Sequence, residues 1–286
     1  MYHVEIKPEL IRWACGRAGR TPADLQKEFA EIELWERGEA MPTFEQLERF
    51  AQAVHVPIGY LFSNTPPEER IPIPDLRTVS DPDPELLDTI YLCQRRQDWY
   101  RDYAISVGED PRYFVGSMTV STPAAEAASE IRQVLGFDPK APRLLIEQVE
   151  EAGILVMVGH IARSNSRFAL ADDLAPLVFI NDNDGVFALT HEIAHLWLGE
   201  SALSDVSPAS VPSHDIERWC SQVAAELSAP NCLFDNQQRR ASQRFVRALV
   251  ASTLEGHTLY REAIRLLGAK EEHRSAWEYL FDSLSS

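Results

Sequence analysis

The chain has 286 residues, 45% hydrophobic and 25% charged, the balance of an ordinary globular protein with room for a substantial core. A formal net charge of −17 argues against broad electrostatic attraction to nucleic acid or anionic lipid. No run of 18 or more apolar residues occurs, so no membrane-spanning helix is expected, and Met1–Leu10 lacks a cationic-then-apolar leader, which predicts a cytoplasmic protein. Cys15, Cys93, Cys220 and Cys232 are scattered without a CxxC pair, so free thiols are expected.

Residues 1–64 read as short helices. Pro8 to Ala18 has apolar positions at helical spacing, and Thr21-Pro22 is an N-cap followed by proline that opens a helix over Ala23–Phe29. A short segment at Ile32–Arg37 is closed by Gly38. Thr43 then caps an amphipathic helix with Phe44, Leu47, Phe50, Ala51 and Val54 on one stripe, and Pro57–Phe62 begins a last turn. The order, with Trp35-Glu36-Arg37-Gly38 and then Pro42-Thr43, resembles the Xre-type helix-turn-helix. Only nine residues separate Leu25 from Trp35, about four fewer than that family places where its recognition helix begins. Glu28, Glu31, Glu33, Glu36 and Glu39 crowd this stretch, and residues 1–64 hold seven Lys and Arg against ten Asp and Glu. A phosphate backbone would be repelled, so DNA binding is disfavoured against protein recognition and no DNA-binding residue is assigned.

Residues 65–118 read as a connector, proline-dense to about residue 85 and therefore extended. A long helix follows from Glu85 to about Val107. Residues 119–286 form the third part. Ser121-Thr122-Pro123 opens an alanine-rich helix that ends at Leu135 and Gly136, and a second helix covers roughly Arg143–Ala152. The period then shifts to strands at Ile154–Val158, Arg167–Leu170 and Leu177–Ile180, with Asn181–Gly185 as the turn out of the last. The fold class expected is α+β, mostly helical, with one small sheet.

That turn leads into His191-Glu192-Ile193-Ala194-His195, flanked by apolar residues and followed by Gly199 as a stop. On a helix, positions i and i+4 share a face, so both imidazoles can meet one metal ion at about 2.0–2.1 Å. Glu192 can reach a water bound to that ion. A zinc hydrolase needs a third protein ligand, and the extended HExxHxxGxxH form fails because Leu198 and Ser201 occupy its glycine and histidine positions. Glu217 is the best candidate, on a helix running from an N-cap at Ser213 to a stop at Pro230. Further helices are expected at Gln238–Ser252 and Leu259–Leu267.

His191–Gly199 together with Glu217–Pro230 resembles the ImmA/IrrE family of metallopeptidases. The resemblance implies a zincin-like fold with Glu217 as third zinc ligand, and Ser221 stands where that family usually carries Asn or Asp beside the ligands. It implies zinc, with manganese as the other candidate, and a cytoplasmic endopeptidase that cleaves a specific protein such as a helix-turn-helix repressor in phage, mobile-element or stress control. The alternative it leaves open is an antitoxin-like protein that binds a partner toxin with little proteolysis. It also implies that the Leu177–Ile180 strand pairs with an extended substrate.

Other residues weigh less. Glu226 lies about 180° round the helix from Glu217 and reads as a structural carboxylate or one supporting the ligands. Cys220 reads as a small buried residue, and His214 and Asp215 as capping residues. His160, His257 and Tyr260 stay open as oxyanion donors.

Overall fold

The computed structural model describes residues 3–18, 20–54, 56, 58–66, 73, 83–137, 146–161, 166–204, 214–228 and 241–267. Most of the proline-rich connector, the Ser213 cap, the Pro230 stop and Cys232 lie outside these residues. The chain divides into two compact units, Met1–Ile71 with Ser80–Asp88, and Pro72–Val79 with Thr89–Ser286. The described residues form a mostly helical α+β structure with one small mixed sheet. None of their helices is long and apolar enough to cross a membrane.

The N-terminal unit contains α1 (Pro8–Arg17), α2 (Pro22–Leu25), α3 (Ile32–Arg37), α4 (Phe44–Ala53) and a 3-10 turn at Ile58–Phe62. Thr21 and Asp24 form a reciprocal cap in which Thr21 Oγ1 accepts from Asp24 N and Asp24 accepts from Thr21 N. Thr43 and Gln46 repeat the device at the start of α4. The helix expected over Ala23–Phe29 is shorter: α2 ends at Leu25, because the abbreviated connection must turn before α3 begins at Ile32. Phe29 drops into the core there, where its ring meets Trp35 at 5.9 Å and Phe50 at 5.8 Å. α3 is thus six residues long and buries Ile32 and Trp35.

The boundary between the units falls within α5 (Pro84–Val107). The second unit continues with α6 (Ala124–Val134), α7 (Ile146–Glu151), β1 (Leu155–Gly159), β2 (Arg167–Leu170), β3 (Leu177–Asn181), α8 (Val186–Leu198), β4 (Ala202–Ser204), α9 (His214–Leu227), α10 (Gln243–Leu254) and α11 (Tyr260–Leu267). The sheet order is β1-β3-β2-β4, with β1 parallel to β3 and the other pairs antiparallel. Thr122 does not cap α6 as Thr21 caps α2: its hydroxyl accepts from Thr119 N, and the helix begins at Ala124. Ser242 supplies the cap of α10 by accepting from Phe245 N, placing that start at Gln243.

Helix α8 is buried almost throughout, as its apolar sequence requires. Val186, Leu189, Ile193, Leu196 and Trp197 join Val156, Val178 and Ile180 of the sheet and Trp219, Cys220 and Val223 of α9 in one core. Its last carbonyls are satisfied from outside: Gly116 N donates to Leu196 O at 3.0 Å and Met118 N to Trp197 O at 2.9 Å. Gly199 ends the helix in the left-handed region at φ 70°, and a Cβ there would stand 3.0 Å from Gly116 Cα. Two independent constraints therefore select glycine at this position.

Candidate metal centre

Two packed helices build the site. α8 presents His191 and His195 one above the other, and α9 brings Glu217 across to them. His191 Nε2 lies 3.1 Å from Glu217 Oε2, His195 Nε2 lies 3.3 Å from Glu217 Oε1, and the two Nε2 atoms are 3.3 Å apart. Both imidazoles are buried, at 4% and 0% exposure, whereas the Glu217 side chain is one-third exposed. Burial pushes the Glu217 carboxyl up, but the two imidazoles it faces more than offset that and hold it down at about 2.

These distances test the fit of a cation. Tetrahedral ligands about 2.0–2.1 Å from zinc stand roughly 3.3 Å from one another; the two Nε2 atoms are already that far apart, and each has one of the two Glu217 oxygens at a similar distance. Two nitrogens and a carboxylate are a donor set that zinc accepts. The other ring nitrogens face elsewhere: neither His191 Nδ1 nor His195 Nδ1 has a hydrogen-bond partner among the described residues. Metal-ligating histidines ordinarily donate from that atom, so this centre is less braced than most.

Glu192 follows His191 on α8 and has 0% exposure. Arg167, the first residue of β2, approaches it with Nε 3.4 Å from Glu192 Oε1, and reaches Asp184 Oδ1 at 3.6 Å with Nη1. Sequence reasoning missed Arg167. The one signal was an arginine opening a short apolar strand, which is uninformative until the topology lays β2 against α8.

The remaining candidates scatter. Ser221 is half-buried one turn after Glu217. Glu226 is exposed, with its carbonyl accepting from Arg132, and is not among the three clustered donors. Cys220 is fully buried, and burial, then Glu217 and Glu192, push its thiol up, which keeps it protonated and a poor ligand. Asp215 is exposed and pairs with Arg218. His160 pairs with Asp182 at 3.2 Å, His257 lies 3.8 Å from Glu255, and Tyr260 opens α11. The expectation that the Leu177–Ile180 strand receives a substrate is overturned. β3 is flanked by β1 and β2 and has no free edge, whereas among the described residues the outer strands are β1 and β4.

Among known protein families, residues 241–273 match a domain of unknown function (DUF8813), which covers α10 and α11 and none of the clustered donors. No curated protein and no solved structure matches the chain.

Proposed function

We propose that this chain is a zinc-dependent cytoplasmic endopeptidase that cleaves a specific regulatory protein, such as a helix-turn-helix repressor. The observation that carries the reading is the convergence of His191, His195 and Glu217: the two Nε2 atoms are 3.3 Å apart, with Glu217 Oε2 3.1 Å from one and Oε1 3.3 Å from the other, separations that suit the ligands of one tetrahedral cation. His191, His195 and Glu217 would hold the ion, with manganese as the other candidate. When bound, the metal supplies a Lewis acid and lowers the pKa of water to about 7.

The chain's own residues do the rest. Glu192 takes the proton of the attacking water and passes it to the departing amine, so one carboxylate serves as base and then as acid. The partly exposed face of Glu217 marks the side from which substrate enters. An extended peptide finds β4 as the outer strand on the β2 side of the sheet among the described residues. The N-terminal unit, with its six-residue α3 and acidic surroundings, serves protein recognition better than base reading.

A second reading is favoured by the unbraced Nδ1 atoms: an antitoxin-like protein that uses this fold to bind a partner toxin with little proteolysis. Metal analysis of the purified chain, alongside cleavage assays on proteins encoded next to it, decides between the two. Zinc with cleavage that disappears in Glu192→Gln supports the peptidase. Zinc without cleavage of any neighbour favours the binding protein.

A further inference from the structure

Arg167 stands between two carboxylates from separate parts of the second unit. Its guanidinium faces Glu192 on α8 and Asp184 in the turn that joins β3 to α8. The three side chains are 17%, 0% and 14% exposed. Asp184 is itself fixed, accepting a hydrogen bond from Asn181 N at 2.9 Å. Arg167 is anchored at the other end, because its backbone pairs with Ser204 across β2 and β4.

A carboxylate with no solvent exposure is oriented by protein groups alone, and its charge must be matched nearby. Glu192 is also the group whose position the proposed chemistry can least tolerate losing. A proton carrier must lie within hydrogen-bond reach of both its donor and its acceptor, and a misplacement of 1 Å costs roughly 100-fold. The contact from Arg167 is an ion pair rather than a hydrogen bond, since its Nε has no hydrogen-bond partner among the described residues. It therefore steadies Glu192 by charge, while Asp184 holds the guanidinium from behind.

We infer that Arg167, steadied by Asp184, is a positioning residue that sets the Glu192 carboxylate toward the metal-side water. The inference rests on the peptidase reading for its purpose, but its test needs no turnover. Acetohydroxamic acid chelates zinc through its two oxygens and hands its acidic proton to a neighbouring carboxylate, so its affinity reports where Glu192 stands. Binding is measured on the zinc-loaded 286-residue chain and on Arg167→Met, Arg167→Lys, Glu192→Gln and the Arg167→Met/Glu192→Gln double variant.

Arg167→Met should weaken binding about tenfold at unchanged zinc content. Arg167→Lys should recover part of that loss, and the double variant should bind no more weakly than Glu192→Gln alone. Unchanged affinity in Arg167→Met, or an equal loss on the Glu192→Gln background, overturns the inference. Should Arg167→Met not fold, Asp184→Asn carries the same test, with a smaller loss that also vanishes on the Glu192→Gln background. Coupling without cleavage of any neighbouring protein keeps this inference and removes the peptidase reading. A wild-type chain that takes up no zinc removes both.

Discussion

In the N-terminal unit, Trp35, Gly38 and Thr43 of the Trp35–Thr43 signature have structural tasks. Trp35 is 1% exposed against Phe29 and Phe50, Gly38 closes α3 in the left-handed region at φ 72°, and Thr43 caps α4. In α8 the distinctive residues meet charged groups instead: Glu192 faces Arg167, and His191 and His195 face Glu217. His191, Glu192 and His195 are polar and buried in an otherwise apolar helix, where leucine or alanine would pack at lower cost. The difference separates a signature that the fold explains from one that it does not. The unexplained one is where a ligand is owed.

The sharpest break in that comparison is chemical. Glu192→Gln keeps the shape of the side chain, so zinc uptake should persist while cleavage falls by about 100- to 10,000-fold, read by product formation from the substrate protein. Equal activity would place the base elsewhere. Next in size, Trp35→Ala should cost about 3–5 kcal/mol in denaturant unfolding of the N-terminal unit. Zinc content should not follow it, because that unit has a core of its own. Gly199→Ala should lower stability by about 1–2 kcal/mol through the left-handed backbone alone, with more from the approach to Gly116, and thermal unfolding would show it. Smallest, Thr21→Ala removes one half of a reciprocal cap and should cost about 1 kcal/mol. A larger loss from Thr21→Ala than from Trp35→Ala would mean that the aromatic cluster does not organise that unit.

Local chemistry was legible in the residues wherever a cap or a period is local. The Thr21 and Thr43 caps and the Gly38 and Gly199 stops stand where the sequence reading puts them, and Leu47, Phe50, Ala51 and Val54 are buried as expected, whereas Phe44, the first residue of α4, is exposed. The pairing of His191 and His195 with Glu217 follows from i, i+4 spacing plus one carboxylate on a following helix. What escaped is set through space. β4 is three residues long and shows no alternation, so only its pairing with β2 defines it. The interior place of β3 depends on strand order, which a run of apolar residues does not encode. Arg167 becomes part of the site only because β2 packs on α8, and α2 stops early because a shortened connection must turn.

The proposed centre closes two imidazoles and one carboxylate on a single cation. X-ray absorption at the zinc edge on the reconstituted chain tests it directly. Two imidazole nitrogens and oxygen donors are expected at about 2.0–2.1 Å, with one oxygen lost in Glu217→Ala. A sulfur neighbour at about 2.3 Å, or a spectrum unchanged by Glu217→Ala, would contradict it.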